Sequence, residues 1–132
     1  MIPTSHELTT LISIPERGPY GDNKYRGNYA GDVLIKLIGF LQANGIAAPY
    51  VYDPMEGGMT SRDVCSSLNL PYVGSDIHQG FDVVGDDLHD TGFDLCILHY
   101  PYWNMIDYAH DLPEELQKKD MSRMEWKELS RR

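Results

Sequence analysis

The 132-residue chain carries 11 lysines and arginines against 20 aspartates and glutamates, a formal net charge of −9, with 42% hydrophobic and 23% charged residues. That length and balance describe one globular domain rather than a disordered tail. They exclude a freestanding module that holds nucleic acid by overall basic charge, because such affinity comes mainly from basic groups releasing counterions. Any nucleic-acid role must rest on a local basic patch, for which Arg17, Lys24, Arg26, Lys118, Lys119, Arg123, Lys127, Arg131 and Arg132 are the candidates, or on a partner.

Residues 1–30, rich in Pro, Gly, Asn and Tyr, are expected to be irregular. They show no basic segment followed by an apolar core, and no apolar run of about 18 residues follows, so no leader, no membrane span and a cytoplasmic setting are expected. From Asp32 the residues Val33, Leu34, Leu37, Ile38, Phe40 and Leu41 recur at helical spacing, with Asn44-Gly45 as the stop. Pro49-Tyr50-Val51-Tyr52 reads as a buried strand ending at Asp53-Pro54. A glycine pair, Gly57-Gly58, precedes a second helix from Thr60 to Leu68 whose apolar face carries Val64, Cys65 and Leu68. A second strand, Pro71 to Asp76, ends in an acid, and Phe81 to Val84 reads as a short third. Phe93-Asp94-Leu95-Cys96-Ile97-Leu98 is the most hydrophobic run and reads as a central strand. The order predicts an α/β fold with a partly parallel, incomplete sheet of about four strands flanked by helices, spanning 31–110. Residues 111–132 form a charged helical tail with a Glu115/Lys119 pair at i, i+4. Cys65 and Cys96 both read as buried core thiols, too few for a disulfide framework. His78, His89 and His110 share no metal-ligand spacing and are assigned to turns or surface.

Four features carry chemistry. The loop Asp53-Pro54-Met55-Glu56-Gly57-Gly58 joins a strand to a helix, where glycines admit a ligand close to the backbone; a plain turn is the alternative. Asp76 stands 23 positions after Asp53, near the spacing of the acid that holds a ribose diol in nucleotide-binding βαβ units, or else it caps the next turn. Asp86 in Gly85-Asp86-Asp87 offers an acceptor for an adenine amino group, or marks an acidic surface turn. The last strand runs into His99-Tyr100-Pro101-Tyr102-Trp103, a polar residue, a proline and aromatics, either a base-binding loop or an aromatic loop closing the core.

Together with Tyr25-Arg26-Gly27-Asn28, these motifs resemble the S-adenosylmethionine-dependent N6-adenine and N4-cytosine DNA methyltransferases over residues 17–108. The resemblance implies a Rossmann-like methyltransferase core. Gly27, Asn28, Asp53, Pro54, Glu56, Gly57 and Gly58 would line the methionine side of the cofactor, Asp76 with Ile77 would hold the ribose, and Asp86 the adenine. His99, Tyr100, Pro101 and Tyr102 would face the target base, with Trp103 as a further stacking ring. Met55 replaces the family's aromatic, Tyr100 its first proline and His99 its usual Asp, Asn or Ser. Met59 replaces the last loop glycine and is expected to crowd the cofactor. The family's enzymes are longer, so the last strand is expected to reach a sheet edge, with self-association or a partner subunit that supplies DNA recognition. The rival reading is a catalytically degenerate binding module, a partner subunit or an inhibitor that mimics DNA with its charge.

Overall fold

The structure, a computed structural model, describes residues 8–9, 11–87, 92–100, 106–108 and 110–120. Its elements in chain order are α1 (Gly31–Ala43), β1 (Val51–Asp53), α2 (Thr60–Ser67), β2 (Tyr72–Gly74), a 3-10 turn (Ile77–Gln79), β3 (Leu95–Cys96) and α3 (Glu114–Gln117).

Helix α1 buries Leu34 and Ile38, one turn apart on the same face, and stops where the sequence placed the stop. Gly45 takes φ +101°. Its N–H donates to Gln42 O and that of Ile46 to Leu41 O, the paired bonds of a Schellman motif. Helix α2 ends in the same way with Asn69 at φ +52°, Asn69 N donating to Ser66 O and Leu70 N to Cys65 O. Both helices pack on the sheet through a core of Leu34, Ile38, Val51, Val64 and Cys65, joined by Tyr20, Tyr29, Leu95 and Ile97. Each fully buried aliphatic side chain contributes about 1.5–3 kcal/mol.

The sheet has the order β2-β1-β3 and is parallel throughout. Val51 pairs with Tyr72 on one side and with Leu95 on the other. The chain thus leaves β1, crosses through α2 to β2, and returns past β1 to β3. Loops on either side of β1 diverge, and the crevice they leave at the carboxyl ends of the strands is where open parallel sheets bind ligands.

Several expectations are corrected. Phe81 to Val84 is not a strand: Asp82 Oδ1 accepts the Val84 N–H at 3.1 Å, folding the backbone into a turn. The described residues therefore hold three strands, not four. The central strand is β1, buried at all three positions, rather than the most hydrophobic run; β3 lies at an edge of the described sheet, where the last strand was expected to fall. Because alternate side chains of a strand face opposite ways, Cys96, Leu98 and Tyr100 share the exposed face of this edge, and only Cys65 is a buried thiol. The i, i+4 ion pair in the tail is Glu114–Lys118, at 3.3 Å, not Glu115/Lys119. No helix among the described residues is long and apolar enough to cross a membrane.

Candidate functional site

A cleft of about 80 Å³ opens at the carboxyl ends of the strands. The loop after β1 supplies Asp53, Pro54, Met55, Glu56, Gly57 and Gly58. The turn after β2 supplies Asp76, Ile77, Phe81 and Val83, and the segment after β3 supplies His99. Two further walls come from Tyr25, Gly27, Asn28 and Tyr29 and from Tyr108, Lys119 and Asp120.

Backbone geometry explains the glycine loop. Gly57 has φ +45°, and a Cβ there would lie 2.6 Å from the Tyr25 ring. Met59 adopts φ +67° as the residue before α2, a left-handed conformation that glycine takes at far lower cost. Its side chain is 45% exposed and lies outside the cleft lining, so the expected crowding does not occur. The upstream segment braces the loop. Asp22 N donates to Gly58 O at 2.8 Å, Gly21 N donates to Asp63 Oδ2 at 2.8 Å, and Thr60 Oγ1 donates to Asn28 Oδ1. With Asn28 Nδ2 donating to Asp22 O, the Asn28 amide ties the start of α2 to the upstream segment.

The carboxylates divide into different roles. Asp53 is buried; its Oδ1 accepts from Met55 N at 3.0 Å and its Oδ2 from Ser61 Oγ. The Ser61 hydroxyl in turn meets the Tyr29 hydroxyl. With Ser61 donating to the acid, Tyr29 is the donor to Ser61. Burial pushes the Asp53 carboxyl up to about 6. The Ser61 and Met55 hydrogen bonds act against that shift, and the charges of Glu56 and Asp76 add to it. Burial also raises the Tyr25 and Tyr29 phenols, keeping both protonated as donors.

Glu56 lines the cleft, but its carboxylate is committed to the protein. It accepts from Arg62 Nε at 3.2 Å and Nη2 at 2.9 Å, Tyr72 OH at 2.7 Å and Gln79 Nε2 at 3.0 Å. Four bonds fill the lone-pair sites of a carboxylate, which removes this side chain from the set expected to touch a ligand.

Asp76 caps the next turn, the plainer of its two sequence readings, and it also lines the cleft. As a cap, its Oδ2 accepts from His78 N at 3.1 Å and lies 2.6 Å from His78 Nδ1. As a cleft residue, its Oδ1 accepts from Gly57 N at 3.2 Å, tying the turn after β2 to the glycine loop. Three of about four acceptor sites are thus used, leaving room for one hydroxyl. The residue assigned to adenine is corrected. Asp86 Oδ2 accepts from Asp82 N at 2.7 Å, and the residue closes a surface turn away from the cleft. Ile77, Phe81 and Val83 provide an apolar surface there instead.

His99 enters the cleft with its ring edge-on to Tyr29, centroids 5.8 Å apart. Tyr100 is about half exposed and outside the lining, while Pro101, Tyr102 and Trp103 lie outside the described residues. Sequence reasoning missed Tyr25, Tyr29, Phe81, Val83, Tyr108, Lys119 and Asp120. Tyr25 and Tyr29 flank the Gly27-Asn28 motif and were within reach of a local reading. Tyr108, Lys119 and Asp120 belong to a segment with no motif of its own, brought in by stacking of Tyr108 on Tyr25 at 5.8 Å and a bond from Lys119 Nζ to Gly80 O at 3.1 Å.

The chain matches no protein-family model, no curated protein and no solved structure.

Proposed function

We propose that the chain binds S-adenosylmethionine in this cleft and transfers its methyl group to an exocyclic amino group of adenine or cytosine in DNA. The observation that carries this reading is convergence: the glycine loop after β1, Asp76 after β2 and His99 after β3 line one cleft. These are the three motifs whose order along the chain resembles the amino-group DNA methyltransferases.

The residues present fit such a ligand. Gly57 and Gly58 leave the backbone accessible, Asp76 Oδ1 retains acceptor capacity for a ribose hydroxyl, and Ile77, Phe81 and Val83 suit an adenine ring. When bound, the cofactor supplies a methyl group on a positively charged sulfur. One ring nitrogen of His99 would serve as acceptor for a hydrogen bond from the target amino group. Tyr29, packed edge-on against that ring, fixes its orientation. Asp53, Ser61 and Tyr29 form a hydrogen-bonded chain connecting the glycine loop to the histidine, so both sides of the site are held in register before ligands arrive.

Calorimetric titration with S-adenosylmethionine, repeated on Asp76→Ala, tests the reading. Micromolar binding that weakens more than tenfold in the variant, followed by methyl transfer to DNA with the chain alone or a partner present, is the expected result. Absence of binding by the folded wild-type chain overturns it. Binding with no transfer under either condition favours the binding-module reading.

A further inference from the structure

Three hydrogen bonds decide what the Asp76 carboxylate can still hold. Its Oδ1 accepts the Gly57 N–H at 3.2 Å. Its Oδ2 takes two partners from one residue, the His78 N–H at 3.1 Å and the His78 ring nitrogen Nδ1 at 2.6 Å. An ionised carboxylate has no hydrogen to give, so Nδ1 is the donor, and in the neutral ring Nε2 carries none. Asp76 is buried and lines the cleft, whereas His78 stands outside the lining. The His78 ring meets that of Tyr25, a wall of the cleft, edge to face with centroids 6.4 Å apart. The imidazole that covers Oδ2 therefore sits at the rim of the cleft, with 36% of its side chain exposed.

Each oxygen of a carboxylate offers about two acceptor sites. With one site open on each oxygen, a carboxylate can hold the two neighbouring hydroxyls of a ribose by one bond apiece. In Asp76 both sites of Oδ2 are filled by His78, and the site that remains is on Oδ1. We infer that His78 limits Asp76 to a single sugar hydroxyl, so that the cleft holds a ribose lacking the other hydroxyl as firmly as an intact one. The inference rests on the proposed function and deepens it to the sugar specificity of the same site. His78 is a positioning residue in this scheme. It acts through Asp76, by occupying the oxygen that a second hydroxyl would need.

Calorimetry with S-adenosylmethionine and its 2′-deoxy and 3′-deoxy analogues tests it. Wild-type protein is expected to bind one analogue within about twofold of the parent and the other about tenfold more weakly, the scale of one hydrogen bond to a charged group. His78→Ala opens the second site on Oδ2, so both analogues should then fall about tenfold below the parent. His78→Asn returns an N–H donor to the place of Nδ1 and should restore the wild-type pattern, a rescue that a general loss of structure would not show. Nitrogen NMR of the histidine rings gives a readout free of ligand and of any variant: neutral His78 is expected as the Nδ1–H tautomer. The Nε2–H tautomer overturns the inference. So does a wild-type protein that loses affinity for both analogues or for neither, or a His78→Ala variant that keeps the wild-type pattern; in each case binding of S-adenosylmethionine leaves the proposed function standing. Failure of S-adenosylmethionine to bind the folded wild-type chain overturns both.

Discussion

The Glu56 carboxylate fills the space that a side chain at Gly74 would need, so a residue of the glycine loop after β1 lies across the carboxyl end of strand β2. A Cβ at Gly74 would also meet the Tyr72 hydroxyl at 2.6 Å. Gly74→Ala is therefore expected to destabilise the chain by about 1–3 kcal/mol through overpacking. Glu56→Ala, which strips partners from Tyr72 and Gln79 and leaves the half-exposed Arg62 to solvent, should cost about 2–3 kcal/mol. Urea denaturation of both variants checks this; a Gly74→Ala midpoint equal to that of wild type would remove the carboxylate from its position over β2.

Burial pushes the Asp53 carboxyl up to about 6 in the folded chain, above its ordinary value of 3.8. Between those values the folded chain keeps a proton that the unfolded chain has shed. Its contribution to stability is therefore present at low pH and falls as pH rises through about 4 to 6. Asp53→Asn removes this dependence. The variant's stability relative to wild type should grow by roughly 2–2.5 kcal/mol between pH 4 and pH 7, measured as the difference of unfolding free energies. A difference that stays flat over that interval would show that the burial of Asp53 is not what controls its charge.

At Met59 the chain holds a bulky residue at φ +67°, a conformation costing about 1–2 kcal/mol for a residue with a Cβ. The side chain is half exposed and packs little. Met59→Gly returns part of that cost while adding freedom to the unfolded chain, so a gain of about 0.5–1 kcal/mol and a rise of a few degrees in Tm are expected. Differential scanning calorimetry would show it, and a drop in Tm would mean the thioether makes a contact that matters.

Asp76 and Asp86 both follow strand-like segments and look interchangeable as ribose or adenine acceptors. Only Asp76 reaches the cleft. Asp86→Ala should leave S-adenosylmethionine affinity within about twofold and cost less than about 1 kcal/mol of stability, whereas Asp76→Ala should weaken it more than tenfold. Loss of affinity in Asp86→Ala would reverse the assignment.

Much of this arrangement was legible because it is local. Schellman glycine and asparagine at Gly45 and Asn69, the apolar spacing of Leu34 and Ile38, and the strand-loop-helix unit around Asp53 all announce themselves within a few residues. Phe81-Asp82-Val83-Val84 misled because apolar residues around an aspartate match a strand by composition; the Asp82 side chain instead bonds its own backbone two residues on, a turn-forming contact that competes with the ladder. Glu56 was assigned to the ligand on position alone, since its four partners come from Arg62, Tyr72 and Gln79, and no local pattern connects them. Asp120 was invisible for the same reason, as its place in the cleft depends on where Tyr108 docks.

The pairing of β1 has a consequence for how the chain assembles. Val51 must find Tyr72 across 21 positions and Leu95 across 44, and no hairpin in the described sheet supplies a cheap first contact. Loop closure must be completed before the pairing rewards it, which makes parallel sheets slow to form. The unit β1–α2–β2 closes the shorter loop and carries the buried Val64 and Cys65, so it is the natural nucleus. The edge strand β3 joins last and exchanges its amide hydrogens first. His99 stands three residues beyond that strand, so the last part of the fold to lock also carries the histidine of the cleft.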